Sequence, residues 1–433
     1  MGGFVLKIGV IGCGYVFDHY MTTLKQHPGI EIAGVYDRDT SRASQVAEYY
    51  RINVYPDADA LLSDESVSIV ANFTSIESHV EVSRAALRAG KHVYSEKPVA
   101  TTLKEATELV ELAQEHGLRF AAAPSNALSA TVQTLWKAVE DGAVGDVRMV
   151  YAEFDDNPVY LLKPENWRSR SGAPWPYLHE YEMGCTWEHI GYHLTWMCSI
   201  FGPVRSVTAF SKATLPDKTD KQLTPDDTPD FSVATLDFAS GVVGRITCSI
   251  AAPTDHRMRI FGNKGLLEAD SYRDYRSPVR LEPFSDVPLK ARNLRIVRDS
   301  TLLQWFTGVG GAKVPLVDTA PPGGTEPVRP RGNFFTRWKA AQRGQQDKAI
   351  GLAELADAIE TDRPHFPDAA FHLHVTEVTL AVQAAGPDGS SKVMQTTFDR
   401  PSLPERSRKA APDYSKIKPV ALAERLKRLL KRS

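Results

Sequence analysis

The sequence predicts an α/β protein in which an N-terminal, doubly wound parallel sheet precedes an α+β domain with a large, mostly antiparallel open sheet. Length is one reason: 433 residues exceed what one ordinary hydrophobic core accommodates, so two domains with appendages are expected. Order is another, because short apolar runs alternate with helix-length amphipathic segments as far as Pro124, the pattern of strands joined by crossover helices. Beyond Pro124, strand-length segments succeed one another with glycine-bearing turns between them, which suits antiparallel pairing. The expected limits are 1–124 for the first domain, 125–400 for the second with an insertion at 276–345, and 401–433 for a tail.

The first strand, Lys7 to Ile11, runs into Gly12-Cys13-Gly14, and Tyr15 and Val16 open a helix, which is how a Rossmann dinucleotide-binding domain begins. Gly12 permits the tight turn, and Gly14 lets backbone N–H groups approach a pyrophosphate at the helix N-terminus. Phe17 stands where the third glycine of that fingerprint belongs, against tight packing of helix on strand. A second strand, Ile30 to Tyr36, ends in Asp37, placed to accept hydrogen bonds from the adenosine ribose. Arg38 and Arg42 follow and suit a 2′-phosphate, so the pattern favours NAD and leaves NADP open. Next come a helix from Ser41 to Tyr50, a strand at Ile52 to Tyr55, a short helix at Ala58 to Leu62 and the strand Val67 to Phe73. An amphipathic helix closed by Gly90 then leads to the strand Lys91 to Ser95. Glu96-Lys97-Pro98 ends that strand, where ligands of open α/β sheets bind. A desolvated lysine beside a nicotinamide can exchange a proton at neutral pH.

In the second domain Thr131 to Asp141 reads as a helix. Val147 to Phe154, Val204 to Phe210, Phe231 to Phe238, Val242 to Ala251, Arg257 to Phe261 and Leu266 to Ala269 read as strands. Within a helix ending at Phe201, Cys185, His189 and His193 are spaced i, i+4, i+8 and would share a face able to ligate zinc; without an evident fourth ligand, no metal is expected. Trp167, Trp175, Tyr177, Tyr181, Trp187 and Tyr192 offer aromatic faces to a sugar ring or a nucleobase, or form a core. Residues 276–345, rich in Pro and Gly, read as a lid, a subunit contact or a surface excursion. Two closing helices are expected at Ala349 to Thr361 and Phe371 to Ala385. The tail from 405 to 433 holds ten Lys/Arg against Glu405, Asp413 and Glu424, and its Val420 to Leu430 stretch reads as a helix with one leucine face.

Composition excludes several classes. A net charge of -2 argues against bulk nucleic-acid binding, and no apolar run approaches the roughly 18 residues a membrane span needs. The N-terminus runs into a strand and lacks the basic n-region of a signal peptide, and four cysteines make no disulfide framework, so a cytoplasmic protein is expected.

The opening glycines, Asp37, the turn from Thr74 to His79, the run Ala89 to Val93 and Glu96-Lys97-Pro98 together resemble the glucose-fructose oxidoreductase / inositol dehydrogenase / rhizopine catabolism family, Gfo/Idh/MocA. The resemblance implies an NAD(P)-dependent oxidoreductase that moves hydride between nicotinamide and a secondary alcohol or ketone of a sugar, cyclitol or nucleotide sugar, working as a homo-oligomer, dimer or tetramer. It implies cofactor contacts at Gly12, Cys13, Gly14, Tyr15, Val16, Asp37, Arg38, Thr74, His79, Glu96, Lys97 and Pro98. Gly191 and His193 match the family's Asp-x-Gly-x-His helix, whose acid and histidine face the lysine; Lys97 and His193 are therefore the expected catalytic pair. His189 occupies the acid's place, as a proton relay or substrate contact, and Asn126, Trp167, Arg168 and Tyr192 join Lys97, His189 and His193 as expected substrate contacts. Departures lie at Ser75-Ile76, where the family has Pro-Asn, and at Ala127-Leu128, where it has Arg-Phe. Two other readings stand beside this one: a tightly held cofactor used for redox-assisted hydrolysis, elimination or epimerisation, and a non-catalytic regulator that only binds cofactor or sugar.

Overall fold

A chain whose Ile and Val residues alternate between two apolar faces must bury both faces of its strands, and the N-terminal sheet does so. The computed structural model describes residues 5–319, 345–409 and 414. Its first sheet contains β1 (Leu6–Ile11), β2 (Ile30–Tyr36), β3 (Val67–Asn72), β4 (His92–Ser95) and β5 (Phe120–Ala122), all parallel, in spatial order β2-β1-β3-β4-β5. Between them run α1 (Tyr15–Thr23), α2 (Thr40–Tyr50), α3 (Ala58–Ser63), α4 (His79–Arg88) and α5 (Leu103–Glu115). Side-chain caps start several of them: Asp39 accepts from Ser41 N and Arg42 N at α2, and Thr102 accepts from Glu105 N at α5. Such caps contribute about 1 kcal/mol each.

Two expectations change here. The expected strand at Ile52 to Tyr55 shrinks to a single bridge between Val54 and Val35, because Pro56 follows and cannot donate to a ladder. Phe17 does not loosen the fold: it is fully buried, its ring edge-on to Tyr50 with centroids 5.8 Å apart, and so fills the seam between α1 and α2.

The second sheet has nine strands in the order β13-β12-β11-β10-β6-β9-β8-β7-β14. They are β6 (Val147–Asp155), β7 (Val204–Lys212), β8 (Phe231–Phe238), β9 (Val243–Ser249), β10 (Met258–Gly262), β11 (Gly265–Ala269), β12 (Val279–Pro283), β13 (Ala312–Val314) and β14 (Ser390–Val393). Neighbours are antiparallel except β6 and β9, which run parallel. Helices α6 (Ala130–Glu140), α7 (Tyr177–Met183) and α8 (Cys185–Phe201) accompany this sheet, and α8 lies in its buried core with Leu194, Trp196, Met197 and Ile200. The expected insertion is partly sheet: β12 and β13 extend the edge, with α9 (Asp286–Ala291), α10 (Arg295–Arg298) and α11 (Thr301–Thr307) between them. Residues 320–344 of that stretch, and the expected tail helix, fall outside the described residues.

The closing helices α12 (Ile350–Glu360) and α13 (Ala369–Gln383) return to the first sheet. Leu352, Leu355 and Ala356 of α12 complete the core that holds Ile8, Val10, Ala71, Tyr94 and Ala121 on one face, while α3, α4 and α5 cover the other. The approach is close: a Cβ on Gly351 would fall 1.9 Å from Ser125 Oγ and 2.6 Å from Tyr94 Oη, so only glycine fits.

Candidate active site

At the end of β1 the chain turns through Gly12, whose φ of +98° disfavours any side chain; a Cβ there would meet the Phe73 carbonyl carbon at 2.5 Å. Gly14 caps α1 with no side-chain bond, and a Cβ on it would meet nothing within 4 Å. That open face above the first-turn N–H groups of Tyr15 and Val16 fits a pyrophosphate. Asp37 sits at the end of β2, taking Cys13 N at 2.7 Å on Oδ2 and Asp39 N at 2.9 Å on Oδ1, which anchors it beside the turn. Burial and the Asp37 charge raise the Cys13 thiol to about 12, so this cysteine stays a thiol. Arg38 is exposed, whereas Arg42 is committed, with Nε to Cys13 O at 2.6 Å and Nη1 to Ser171 O at 2.9 Å. His79 is buried with Nδ1 2.7 Å from Pro98 O and Nε2 3.2 Å from Thr74 O; it ties two loops of the crevice together, which corrects the expectation of a direct cofactor contact.

Lys97 follows β4 and enters a charged cluster at the crevice. Its Nζ pairs with Glu188 Oε2, the side chains being 16% and 6% exposed. Burial works against its charge, yet Glu188, Tyr192, Glu180 and Glu96 outweigh it and hold the ammonium well above the usual lysine range. Burial raises Glu188, with Lys97 opposing and Glu180 adding to the rise. Glu180 instead is lowered: burial is outweighed by His189, Lys97 and the indole N–H of Trp175, which donates to it at 3.0 Å. Two neighbouring carboxyls pushed in opposite directions are the arrangement that separates proton carrier from fixed charge. Glu96 is buried too, accepting from Tyr20 Oη at 2.7 Å and Lys97 N at 3.1 Å. From the turn before α12 comes Lys348, whose Nζ donates to Tyr192 Oη at 2.9 Å and stands 3.8 Å from Glu96 Oε1.

The expected helical pair is corrected by this geometry. His193 is fully buried, with Nε2 donating to Glu153 O at 2.8 Å and Nδ1 accepting from Trp196 Nε1 at 2.8 Å. One donor and one acceptor exhaust a neutral imidazole, and burial lowers its pKa to about 3, so it has no lone pair to offer a substrate. The residues of α8 that do face the cluster are Glu188 and Tyr192, one position earlier with the same i, i+4 spacing. His189 lies nearby, stacked on Phe154 at 4.5 Å and 3.5 Å from Glu180 Oε2, with Nδ1 buried and without a protein partner. Asn126 is buried and donates to Tyr192 O at 2.6 Å, so it positions α8 where a substrate contact was expected. Trp167 packs on Trp175 at 4.8 Å, which links the aromatic pair to Glu180, while Arg168 stays exposed on its own loop. Cys185, His189 and His193 diverge, Cys185 turning to Cys248 with sulfurs 3.9 Å apart, and no cluster among the described residues is arranged for a metal ion.

Sequence reasoning missed Glu188, Glu180 and Lys348. The i, i+4 relation of Glu188 to Tyr192 was the available signal for the first; nothing local marks Lys348, which precedes a helix like any other surface lysine.

A dinucleotide turn, an acid after the second strand and a buried lysine cluster between two such sheets define an NAD-binding oxidoreductase. Residues 6–123 match the family model described as an oxidoreductase family with an NAD-binding Rossmann fold, and residues 132–268 match the GFO/IDH/MocA C-terminal domain. The chain belongs to the Gfo/Idh/MocA oxidoreductase family. It is 26% identical over 268 residues to trans-1,2-dihydrobenzene-1,2-diol dehydrogenase of Bos taurus, covering 61% of this chain and 73% of that one. It is 34% identical over 117 residues to inositol 2-dehydrogenase of Salmonella typhimurium, covering 26% of this chain and 35% of the relative. In fold it is similar to the UDP-N-acetylglucosamine 3-dehydrogenase of Acidithiobacillus ferrooxidans, with a TM-score of 0.62 at 22% identity over 88% of this chain and 97% of the other. No helix among the described residues is long and apolar enough to cross a membrane.

Proposed function

We propose that this protein oxidises a secondary alcohol of a neutral polyol, a sugar or cyclitol, or reduces the matching ketone, with NAD as cofactor. The observation that carries the reading is the buried Lys97–Glu188 pair at the carboxyl end of β4, beside the glycine turn. When bound, the nicotinamide supplies or accepts hydride. Gly12, Gly14 and Asp37 would hold the dinucleotide, and the Asp37 carboxylate beside the turn supports NAD; Arg42 is spent on Cys13 O and Ser171, whereas Arg38 stays exposed. Lys97 keeps its charge and binds the reacting oxygen, stabilising negative charge that develops there in a dry cleft. Glu188 orients that ammonium. Among the described residues two of the cations nearby are paired, Lys348 with Glu96 and Arg273 with Asp156 at 2.6 Å, which disfavours a phosphate or carboxylate beside them and favours an uncharged polyol.

Named relatives act on inositol and on a dihydrodiol, both uncharged, in keeping with that choice. The exposed Leu294, Ile296, Leu302 and Trp305 of the α10–α11 region support a homo-oligomer, and free buried cysteines suit the cytoplasm. The test is NADH formation from NAD⁺ with a panel of an inositol, an aldose, trans-1,2-dihydrobenzene-1,2-diol and UDP-N-acetylglucosamine, repeated with NADP⁺. Turnover of an uncharged member with NAD⁺ is expected. Preference for the nucleotide sugar would overturn the substrate class, and tight NADH binding without any turnover would favour the regulator.

A further inference from the structure

Lys97 belongs to a continuous ring of contacts, and the residue at the far side of that ring is an arginine. One half runs from Lys97 N to Glu96 Oε2 at 3.1 Å and from Glu96 Oε1 to Lys348 Nζ at 3.8 Å. Lys348 donates to Tyr192 Oη, the Tyr192 ring lies 5.1 Å from that of Tyr272, and Tyr272 Oη accepts from Arg273 Nε at 2.8 Å. The other half leaves Lys97 through its partner Glu188 to the adjacent His189, which stacks on Phe154 at 4.5 Å; the Arg273 guanidinium lies 5.7 Å from the centre of the Phe154 ring. Tyr272 and Phe154 are buried, whereas the Arg273 side chain is 40% exposed, the most open of the charged groups in the ring.

Three neighbouring strand ends fix this arginine and its partners. Asp156 follows β6, His256 precedes β10 and Arg273 lies in the turn after β11, and the bridges Asp155–Asp255 and His256–Ser271 tie those ends together. Arg273 Nη2 donates to Asp156 Oδ2 at 2.6 Å, and His256 Nε2 stands 3.5 Å from Asp156 Oδ1. His256 is buried, and its Nε2 makes no hydrogen bond among the described residues. Arg273 Nη1 has no partner among them either, its bonds running through Nε and Nη2. The pair therefore keeps donors on Nη1 and an acceptor on Oδ1 in hand. A guanidinium and a carboxylate that already neutralise each other are best completed by hydroxyls, which both donate and accept, and not by a third charge.

We propose that Arg273 and Asp156 together read hydroxyls of the substrate remote from the reacting carbon, Nη1 donating and Oδ1 accepting, while Lys97 binds the reacting oxygen. The proposal rests on the redox reading above and narrows its substrate to a polyol with hydroxyls well beyond the carbinol, a cyclitol or an aldose and not a dihydrodiol. An anion brought to Arg273 would stand against the Asp156 carboxylate, so the subsite selects against acidic sugars. A site built to bond a hydroxyl rejects the analogue that lacks it, because its own polar groups are then left unpaired.

The test measures kcat/KM for NADH formation by wild type, Arg273→Lys and Asp156→Asn. Substrates are an inositol, an aldose, their monodeoxy analogues lacking one hydroxyl away from the oxidised carbon, and trans-1,2-dihydrobenzene-1,2-diol. NADH affinity and melting temperature are recorded alongside. In the wild type at least one deoxy analogue should lose about 10 to 10²-fold, and the dihydrodiol should be turned over less well than the polyol. Arg273→Lys keeps the charge and loses the fork. It and Asp156→Asn should keep NADH affinity, turn the intact polyol over about as poorly as the wild type turns over that analogue, and lose little more on the analogue itself. The deoxy series in the wild type stands even where a variant fails to fold. A wild type indifferent to every remote hydroxyl, a wild type that prefers the dihydrodiol, or an equal deoxy penalty in wild type and both variants would overturn the subsite while NADH formation upholds the redox reading. A wild type that forms no NADH with any alcohol would overturn the redox reading and the subsite with it.

Discussion

Replacing Glu188 by Gln removes the carboxylate that faces Lys97 and leaves shape nearly unchanged. Lys97 is 16% and Glu188 6% exposed, so the ammonium would remain buried with its nearest counter-charge gone. Breaking a buried pair from one side costs about 3–5 kcal/mol, and because Glu180 and Glu96 still act on Lys97 the lower end, about 3 kcal/mol, is expected. Lys97 has its pKa raised above the ordinary 10.5, so the contribution is complete below that value and lost only as pH rises through the folded one. At pH 7 the Lys97 side of that contribution is present, while burial, which raises Glu188, opposes the carboxylate's side of it. Urea unfolding followed by tryptophan fluorescence measures it, and the double variant Lys97→Met/Glu188→Leu should recover most of the loss, because no lone charge is then left inside. A Glu188→Gln protein within about 0.5 kcal/mol of wild type would refute the reasoning and mean that Glu188 is already protonated there.

Gly12→Ala, which drives a Cβ to within 2.5 Å of the Phe73 carbonyl carbon at a φ of +98°, should abolish NADH binding by fluorescence titration; retained affinity would show that the turn can relax. His19 and His92, held near 4, and His193 and His372, held near 3, are depressed chiefly by burial, so between those values and 6.5 the unfolded chain binds more protons and stability falls as pH drops. The urea midpoint should decline steadily from pH 6.5 downwards, and a midpoint independent of pH over that window would contradict the neutral buried imidazoles. All four cysteines are buried, so the native protein should show almost no thiol reactive to an aromatic disulfide reagent, against four in urea; rapid labelling of the native chain would place at least one outside the core.

The first domain was largely legible because its signals are local. Gly12, Gly14 and Asp37 announce themselves by spacing along a single strand–turn–helix–strand unit, and their structural places follow. The active-site helix was half legible: spacing shows which residues share a face, but which face turns to the cleft depends on packing against β6, where His193 is fixed by Glu153 O. Lys348 was illegible for a different reason, since its partners Tyr192 and Glu96 are far away in sequence and no local pattern encodes the meeting. β12 and β13 were hidden by length, being five and three residues in a stretch read from its prolines and glycines.

The helix α12 that covers one face of the first sheet is also among the last parts of the chain to be synthesised. Until residues 350–360 emerge from the ribosome, Ile8, Val10, Ala71, Tyr94 and Ala121 lack the leucines that seal them from water. The nascent N-terminal unit therefore carries an unfinished apolar surface until that helix arrives, and the turn just before the helix brings Lys348. A fragment ending at residue 124 should bind a hydrophobic dye strongly, and a dye-silent, cooperatively folded fragment would show that this surface closes without help.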